Sequence, residues 1–127
     1  MSQFTPSEEQ EQKALAQWLD YMGILYTATA NGARTSIRQA VKLKTTGCKK
    51  GTPDILIFDP VRLHGPKSVP LYVGCALELK RKAGGKVSPE QRQWLQALEQ
   101  RGWVAIVAKG AGEAISMLQS LGYGRKR

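Results

Sequence analysis

The chain has 127 residues, 42% hydrophobic and 23% charged, the make-up of one soluble domain able to bury a core of its own. Nineteen lysines and arginines against ten acids give a formal net charge of +9, which favours a polyanionic partner, nucleic acid ahead of an anionic membrane surface. Two cysteines, Cys48 and Cys75, and one histidine, His64, exclude a Cys/His zinc site and a disulfide framework, so any metal is held by oxygen, as Mg²⁺ or Mn²⁺ are. No apolar run approaches the roughly 20 residues of a bilayer span, and the acidic, Gln-rich start is unlike a signal peptide, so a cytoplasmic location without membrane contact is expected.

In chain order, Thr5-Pro6-Ser7-Glu8 reads as a capping box with proline at the first helical position. The helix it opens carries an apolar stripe of Leu15, Trp18, Leu19 and Met22 and ends at Gly23. Followed backwards, the stripe reaches Glu11 and then Glu8, so two acids lie on the inward side of the first turns. Glu8 either closes the cap or joins a site; Glu11 has the weaker claim. Residues 24–29 have the content of a strand, and Asn31-Gly32 then signals a turn. From Arg34 to Lys50 the chain is basic without a single acid: Arg34, Arg38, Lys42, Lys44, Lys49 and Lys50. Arg34, Arg38 and Lys42 recur every fourth residue and share one face if the piece is helical. A solvated charged face is the plain reading; a phosphate-contacting surface is preferred because the segment leads straight to Asp54.

Residues 54–58 form the first core strand, started by Pro53-Asp54 and stopped by Asp59-Pro60. Residues 62–70 are a loop with an idle His64, and residues 71–80 are a second core strand in which Cys75 is a small core residue. Strand periodicity places Leu77 and Leu79 on one face and Glu78 and Lys80 on the other. Residues 81–86 are a flexible basic connection. Ser88-Pro89-Glu90-Gln91 opens a second capped helix, with Trp94, Leu95 and Leu98 inward and Gly102 at its end. Gln91 belongs to that inward stripe, so it either completes the cap or faces the Glu78 strand. Residues 103–108 are a third core strand, and residues 112–121 a last helix packing Ile115, Leu118 and Leu121. A basic tail over 123–127 leaves about 5–122 as the ordered core of a single domain. The loop between the two central strands implies an antiparallel pair, and the helix between the second and third strands a parallel crossover. The fold class is α/β, a mixed sheet flanked by helices.

If the two central strands are neighbours, Asp54, Glu78 and Lys80 converge: two hard carboxylates and one ammonium, a divalent-metal site suited to phosphate chemistry. An acid-x-Lys triplet alone is poor evidence, and Glu11-Gln12-Lys13 shows the same pattern on a helix, where residues two apart do not face each other. Context distinguishes Glu78-Leu79-Lys80, which ends a buried strand and follows Pro53-Asp54 by twenty-four positions. A buried charge costs several kcal/mol unless paired or bound to metal, so the competing reading is a structural Glu78–Lys80 pair.

Pro53-Asp54 with Glu78-Leu79-Lys80 resembles the signature of the PD-(D/E)xK nucleases, whose fold is restriction-endonuclease-like. The finer pattern is similar to the VRR-NUC branch: the Glu- and Gln-rich first helix ending in Trp18-Leu19, the Gly51-Thr52-Pro53-Asp54 strand start, the Glu-Leu-Lys strand, and Gly84-Gly85-Lys86-Val87-Ser88-Pro89-Glu90-Gln91. The similarity runs from about Glu8 to Leu121, and the chain resembles the small stand-alone members of phages and bacteria rather than the large eukaryotic repair nuclease that carries this domain at its end. By this resemblance Asp54 and Glu78 bind Mg²⁺ or Mn²⁺ with the backbone carbonyl of Leu79, Glu8 reaches the metal through water or a second ion, and Gln91 lies beside Lys80. Lys80 orients or deprotonates the attacking water. A lysine at its ordinary pKa is protonated at neutral pH, so orientation is the role preferred. Arg34, Arg38, Lys42, Lys49, Lys50, Arg81, Lys82 and Lys86 supply the attraction for DNA. Contacts to phosphate carry little base information, so the expected substrate is DNA chosen by shape, such as a branch, flap or junction. The resemblance also implies a homodimer. The expectation is thus a metal-dependent, structure-selective endonuclease. The alternatives are a DNA-binding module that kept the fold without catalysis and a small basic interaction protein of a phage replication or packaging complex.

Overall fold

The computed structural model describes residues 5–29 and 36–124. Three serines set the helices. Ser7 accepts the amide of Gln10 and receives the Gln10 side chain on its own amide, which starts α1 over Glu8–Tyr21. The cap is therefore Ser7 rather than Thr5, and Pro6 stays outside the helix; the expected motif is displaced by two residues because the Ser7–Gln10 pair closes both bonds. Ser36 with Gln39 does the same for α2, Ile37–Thr45, a cap the sequence reading did not identify, and Ser88 with Gln91 does so for α3, Pro89–Glu99, where the sequence anticipates it. The last helix, α4, is Ala111–Ser120.

Four strands form one sheet in the order β1 (Tyr26–Ala28), β2 (Ile55–Ile57), β3 (Cys75–Lys80), β4 (Val104–Lys109). The β1/β2 and β2/β3 pairs are antiparallel and β3/β4 is parallel, the mixed sheet expected from the loop and crossover lengths. The second core strand is shorter than 71–80. Leu71 and Val73 send their amides to the carbonyls of Val61 and Gly102 instead of the β2 ladder, so the regular strand begins at Cys75. Gly74 marks the bend: a Cβ there would lie 2.5 Å from the Ile57 carbonyl and 2.7 Å from the Trp103 ring.

Register divides the sheet into two faces. Ile55, Ile57, Cys75, Leu77, Leu79, Ile106 and Ala108 turn toward Leu15, Leu19, Ala114 and Leu118 of α1 and α4, and this is the apolar core. Leu56, Ala76, Glu78 and Lys80 occupy the opposite face, where α3 packs over β3 and β4. Burying fifteen such residues in one cluster is the main stabilising term. Tyr123, read as the first residue of the tail, is buried and donates its hydroxyl to the Asp59 carbonyl at 2.7 Å; Gly122, at φ +100°, turns the chain back to put it there. The basic segment is helical, with Arg38 and Lys42 one turn apart, but none of the residues in α2 is buried. Arg34, the Asn31-Gly32 turn and Arg125–Arg127 lie outside the described residues.

Candidate active site

The sheet register brings the two singled-out carboxylates together. Ile55 faces Leu77, so in the same antiparallel register Asp54 is beside Glu78. Pro53, without an amide, and Thr29, whose hydroxyl donates to the Pro53 carbonyl at 2.8 Å and whose amide donates to that of Asp54, hold the strand start in place. Asp54 Oδ2 accepts the Leu79 amide at 2.7 Å, which aims its carboxylate across the β2/β3 gap.

Glu78 is 1% exposed and Lys80 7%. The Lys80 ammonium is 3.6 Å from Glu78 Oε2 and donates to Gln91 Oε1 at 3.0 Å. Gln91 Nε2 donates to Glu78 Oε2 at 3.1 Å. The same Gln91 Oε1 accepts the Ser88 amide at 2.8 Å, so one side chain both completes the α3 cap and bridges the acid to the lysine. The two readings of Gln91 are therefore a single arrangement: the cap fixes the rotamer that spans the pair. Its oxygen must face Ser88 and Lys80, both donors, which leaves its amide nitrogen for the carboxylate.

Glu78 Oε1 is buried and has no hydrogen-bond partner among the described residues. Burial pushes the Glu78 carboxyl up to about 9, reinforced by the Asp54 carboxyl at hydrogen-bonding range and its charge, opposed by the Lys80 ammonium and raised slightly by Glu8. Two carboxylates side by side with no donor between them repel until a proton or a cation joins them. The chemistry of this donor set fits a hard, oxygen-seeking divalent cation, which Asp54 and the orphaned oxygen of Glu78 could hold. Among the described residues no group of three or more His, Cys, Asp and Glu side chains converges. The donor set is thus a side-chain pair.

Glu8 is exposed at the first turn of α1, within electrostatic reach of Glu78. Glu11 goes elsewhere. It is 6% exposed, and its Oε1 accepts the amide of Ala111 at 3.2 Å. The α4 N-cap is Gly110, which has no side chain to offer, so an acid from α1 caps α4 across the molecule. The Gly110 amide in turn donates to the Lys80 carbonyl at 2.9 Å. Sequence reasoning missed this cap, and the glycine heading α4 was its only signal.

Gly51 belongs to the strand-start pattern singled out in the sequence, but its contact with α3 was not foreseen. It is buried at φ +85°, and a Cβ would stand 2.7 Å from the Glu90 main chain. The segment leading to Asp54 thus rests directly on the first turn of α3, the turn that holds Gln91, and Lys50 pairs with Glu90 at 3.7 Å over the same contact. Arg38, Lys42, Lys49, Arg81, Lys82 and Lys86 are all exposed, and His64 is exposed in its loop.

The model of the VRR-NUC domain matches residues 6–112. A solved structure described as a VRR_NUC domain protein has 24% sequence identity to the chain and a TM-score of 0.71, and the match covers 97% of this chain and 93% of that one. Among curated proteins none matches. No described helix is long and apolar enough to cross a membrane. With its mixed four-stranded sheet, flanking helices and family match over most of its length, the chain belongs to the VRR-NUC family of DNA-processing nuclease domains.

Proposed function

We propose that this protein is a metal-dependent endonuclease that hydrolyses phosphodiester bonds in DNA, selecting branched or junction-like substrates by shape. One observation supports it most: two adjacent carboxylates, one nearly inaccessible to solvent with an orphaned oxygen, bridged by Gln91 to a buried lysine. A structural Glu78–Lys80 pair explains neither Asp54 beside it nor the unpartnered oxygen. A binding module has no use for acids where phosphate must approach.

Asp54 and Glu78 would hold Mg²⁺ or Mn²⁺, with the Leu79 carbonyl as a further ligand and Glu8 acting through water. The bound cation would neutralise charge on the scissile phosphate and polarise its oxygens. The residues of the chain do the rest. Lys80, held by Gln91, orients the attacking water and stabilises the added negative charge of the transition state. The water oxygen forms a new bond to phosphorus, one bond from phosphorus to a sugar oxygen breaks, and the water's proton ends on that leaving oxygen by way of solvent. Arg34, Arg38, Lys42, Lys49, Lys50, Arg81, Lys82 and Lys86 contact phosphates on either side, and a homodimer would present two such sites to a branched duplex.

Cleavage of a labelled panel (single strand, duplex, flap and four-way junction) tests this with Mg²⁺, Mn²⁺ or EDTA, using wild type, Asp54→Ala and Lys80→Ala. Wild type should cut only with metal and best on branched DNA, while both variants bind without cutting. Binding to every substrate with no cleavage under any metal refutes the enzyme and leaves the DNA-binding module.

A further inference from the structure

Among the described residues, the face of the sheet that carries Glu78 and Lys80 is covered by a helix on only one half. α3 packs over β3 and β4, while on β1 and β2 Thr27 is exposed and Leu56 half-buried. The ladder continues past β2: the Phe58 amide donates to the Leu25 carbonyl at 2.8 Å, and the Val104 amide to that of Gly74 at 3.0 Å. Leu25, Phe58, Gly74 and Trp103 are therefore a row across the sheet on that same face, two rows from the carboxylate pair. Phe58 is 44% exposed, and its ring meets Trp103 edge-on, with centroids 6.1 Å apart and planes at 77°. Gly74 between them permits the contact, since a Cβ there would strike the Trp103 ring. Trp103 thus braces an aromatic ring that remains open to solvent.

We infer that Phe58, braced by Trp103, is a stacking platform for an unpaired base of the DNA strand whose phosphate lies at Asp54 and Glu78. The inference rests on the nuclease reading above and adds where part of the substrate lies. Asp54, Leu56 and Phe58 alternate onto one face of one strand, so the ring is about 13 Å from the acid along β2. Nothing charged comes between them on that strand: Leu56 is the intervening residue on the face. A strand held by its phosphate at the acids therefore passes over an apolar shelf ending in an aromatic ring. In a duplex each base already has both faces covered by its neighbours. Only an unpaired or splayed base has a free π-face for Phe58, so the platform favours DNA that is open near the cut. Phosphate contacts from basic residues read no base, whereas an aromatic platform adds a contact that opened DNA offers and intact duplex does not.

The test is binding in EDTA, where no cutting occurs, by the full chain as wild type, Phe58→Ala, Phe58→Leu and Phe58→Trp. The probes are an intact duplex and the same duplex with an unpaired branch, labelled for anisotropy and carrying 2-aminopurine at successive unpaired positions. Phe58→Ala should weaken branch binding about five- to a hundredfold, the range of losing one base–aromatic stack, and leave the duplex within twofold. Phe58→Leu should also lose binding although it keeps the apolar bulk, and Phe58→Trp should retain it. One 2-aminopurine position should be quenched by wild type and not by Phe58→Ala, a signal that a purely structural role would not move. Equal loss on both probes, full affinity with Phe58→Leu, or quenching that survives Phe58→Ala overturns the platform. A change in sedimentation behaviour with Phe58→Ala makes the shelf a protein interface and overturns it too. Because cutting is scored separately, normal metal-dependent cleavage with unchanged branch binding in Phe58→Ala refutes the platform alone. A wild type that neither binds nor cuts DNA refutes the nuclease reading with it.

Discussion

Replacing Glu78 by glutamine should stabilise the metal-free protein, although it removes a residue central to the proposed chemistry. Glu78 is nearly fully buried beside Asp54, and its carboxyl is held up at about 9 against 4.5 for a free glutamate, by burial first and by Asp54 second. A raised pKa in the folded state means that folding binds a proton the unfolded chain has released. The associated stability is complete below about pH 4.5 and is lost as pH rises toward about 9. At pH 7 the loss amounts to about 3 kcal/mol, and at pH 5 to less than about 1 kcal/mol. Glutamine has no charge to bury, keeps an oxygen for Gln91 and offers Asp54 a donor. Glu78→Gln should therefore melt roughly 10 °C above wild type at pH 7 in EDTA, with the gap widening toward pH 8.5 and closing toward pH 5. Millimolar Mg²⁺ or Mn²⁺ should raise the wild-type melting temperature at pH 8 and leave the variant nearly unmoved. Thermal melts across this pH range decide the matter. Equal melting temperatures with parallel pH profiles, or a less stable variant at pH 8, refute the account of two carboxylates in conflict.

Three further outcomes follow from particular contacts. Glu11→Ala, which uncaps α4 across the molecule, should cost about 1–2 kcal/mol in urea unfolding, and Glu11→Gln, which keeps an acceptor for the Ala111 amide, should restore most of it. Gly51→Ala should cost about 2–4 kcal/mol by the same measurement, because the new Cβ meets the Glu90 main chain and φ +85° is strained for any side chain. With iodoacetamide at pH 8, mass spectrometry should find Cys48 modified and Cys75 untouched until the protein unfolds. Cys48 is exposed, whereas Cys75 is buried and its thiol is pushed up to about 12 by desolvation.

Local signals in the sequence carried most of the architecture. The Ser88–Gln91 spacing, the Leu77/Glu78/Leu79/Lys80 alternation and the length of the crossover each depend on bonds within a few residues of chain, or on a geometric rule for connections. Those survive folding unchanged, and so α1, α3, α4, the sheet type and the Asp54/Glu78/Lys80 group were legible, while the helicity of α2 was left open. The errors occurred where two local signals competed. Thr5 and Ser7 both resemble a cap, and only the partner Gln10 decides between them. Leu71–Gly74 has strand composition, yet its amides find Val61 and Gly102 first. Tyr123 sits in a basic, glycine-containing stretch that reads as a tail, and only the buried space beside Asp59 shows otherwise.

The sequence by itself determined which residues are chemically out of place: an acid after a proline at a strand start, and an acid and a lysine on the same face of a buried strand. It could not say what those groups touch, because that depends on contacts between residues far apart in the chain. Only the tertiary structure decided that Gln91 serves the cap and the acid–lysine bridge together, that Glu11 caps α4 instead of joining the carboxylate pair, and that Phe58 stands open on the face of the sheet that carries Glu78, with Trp103 behind it. Each of these is a pairing across the fold, set by strand register and helix placement, and no spacing within a single segment encodes it.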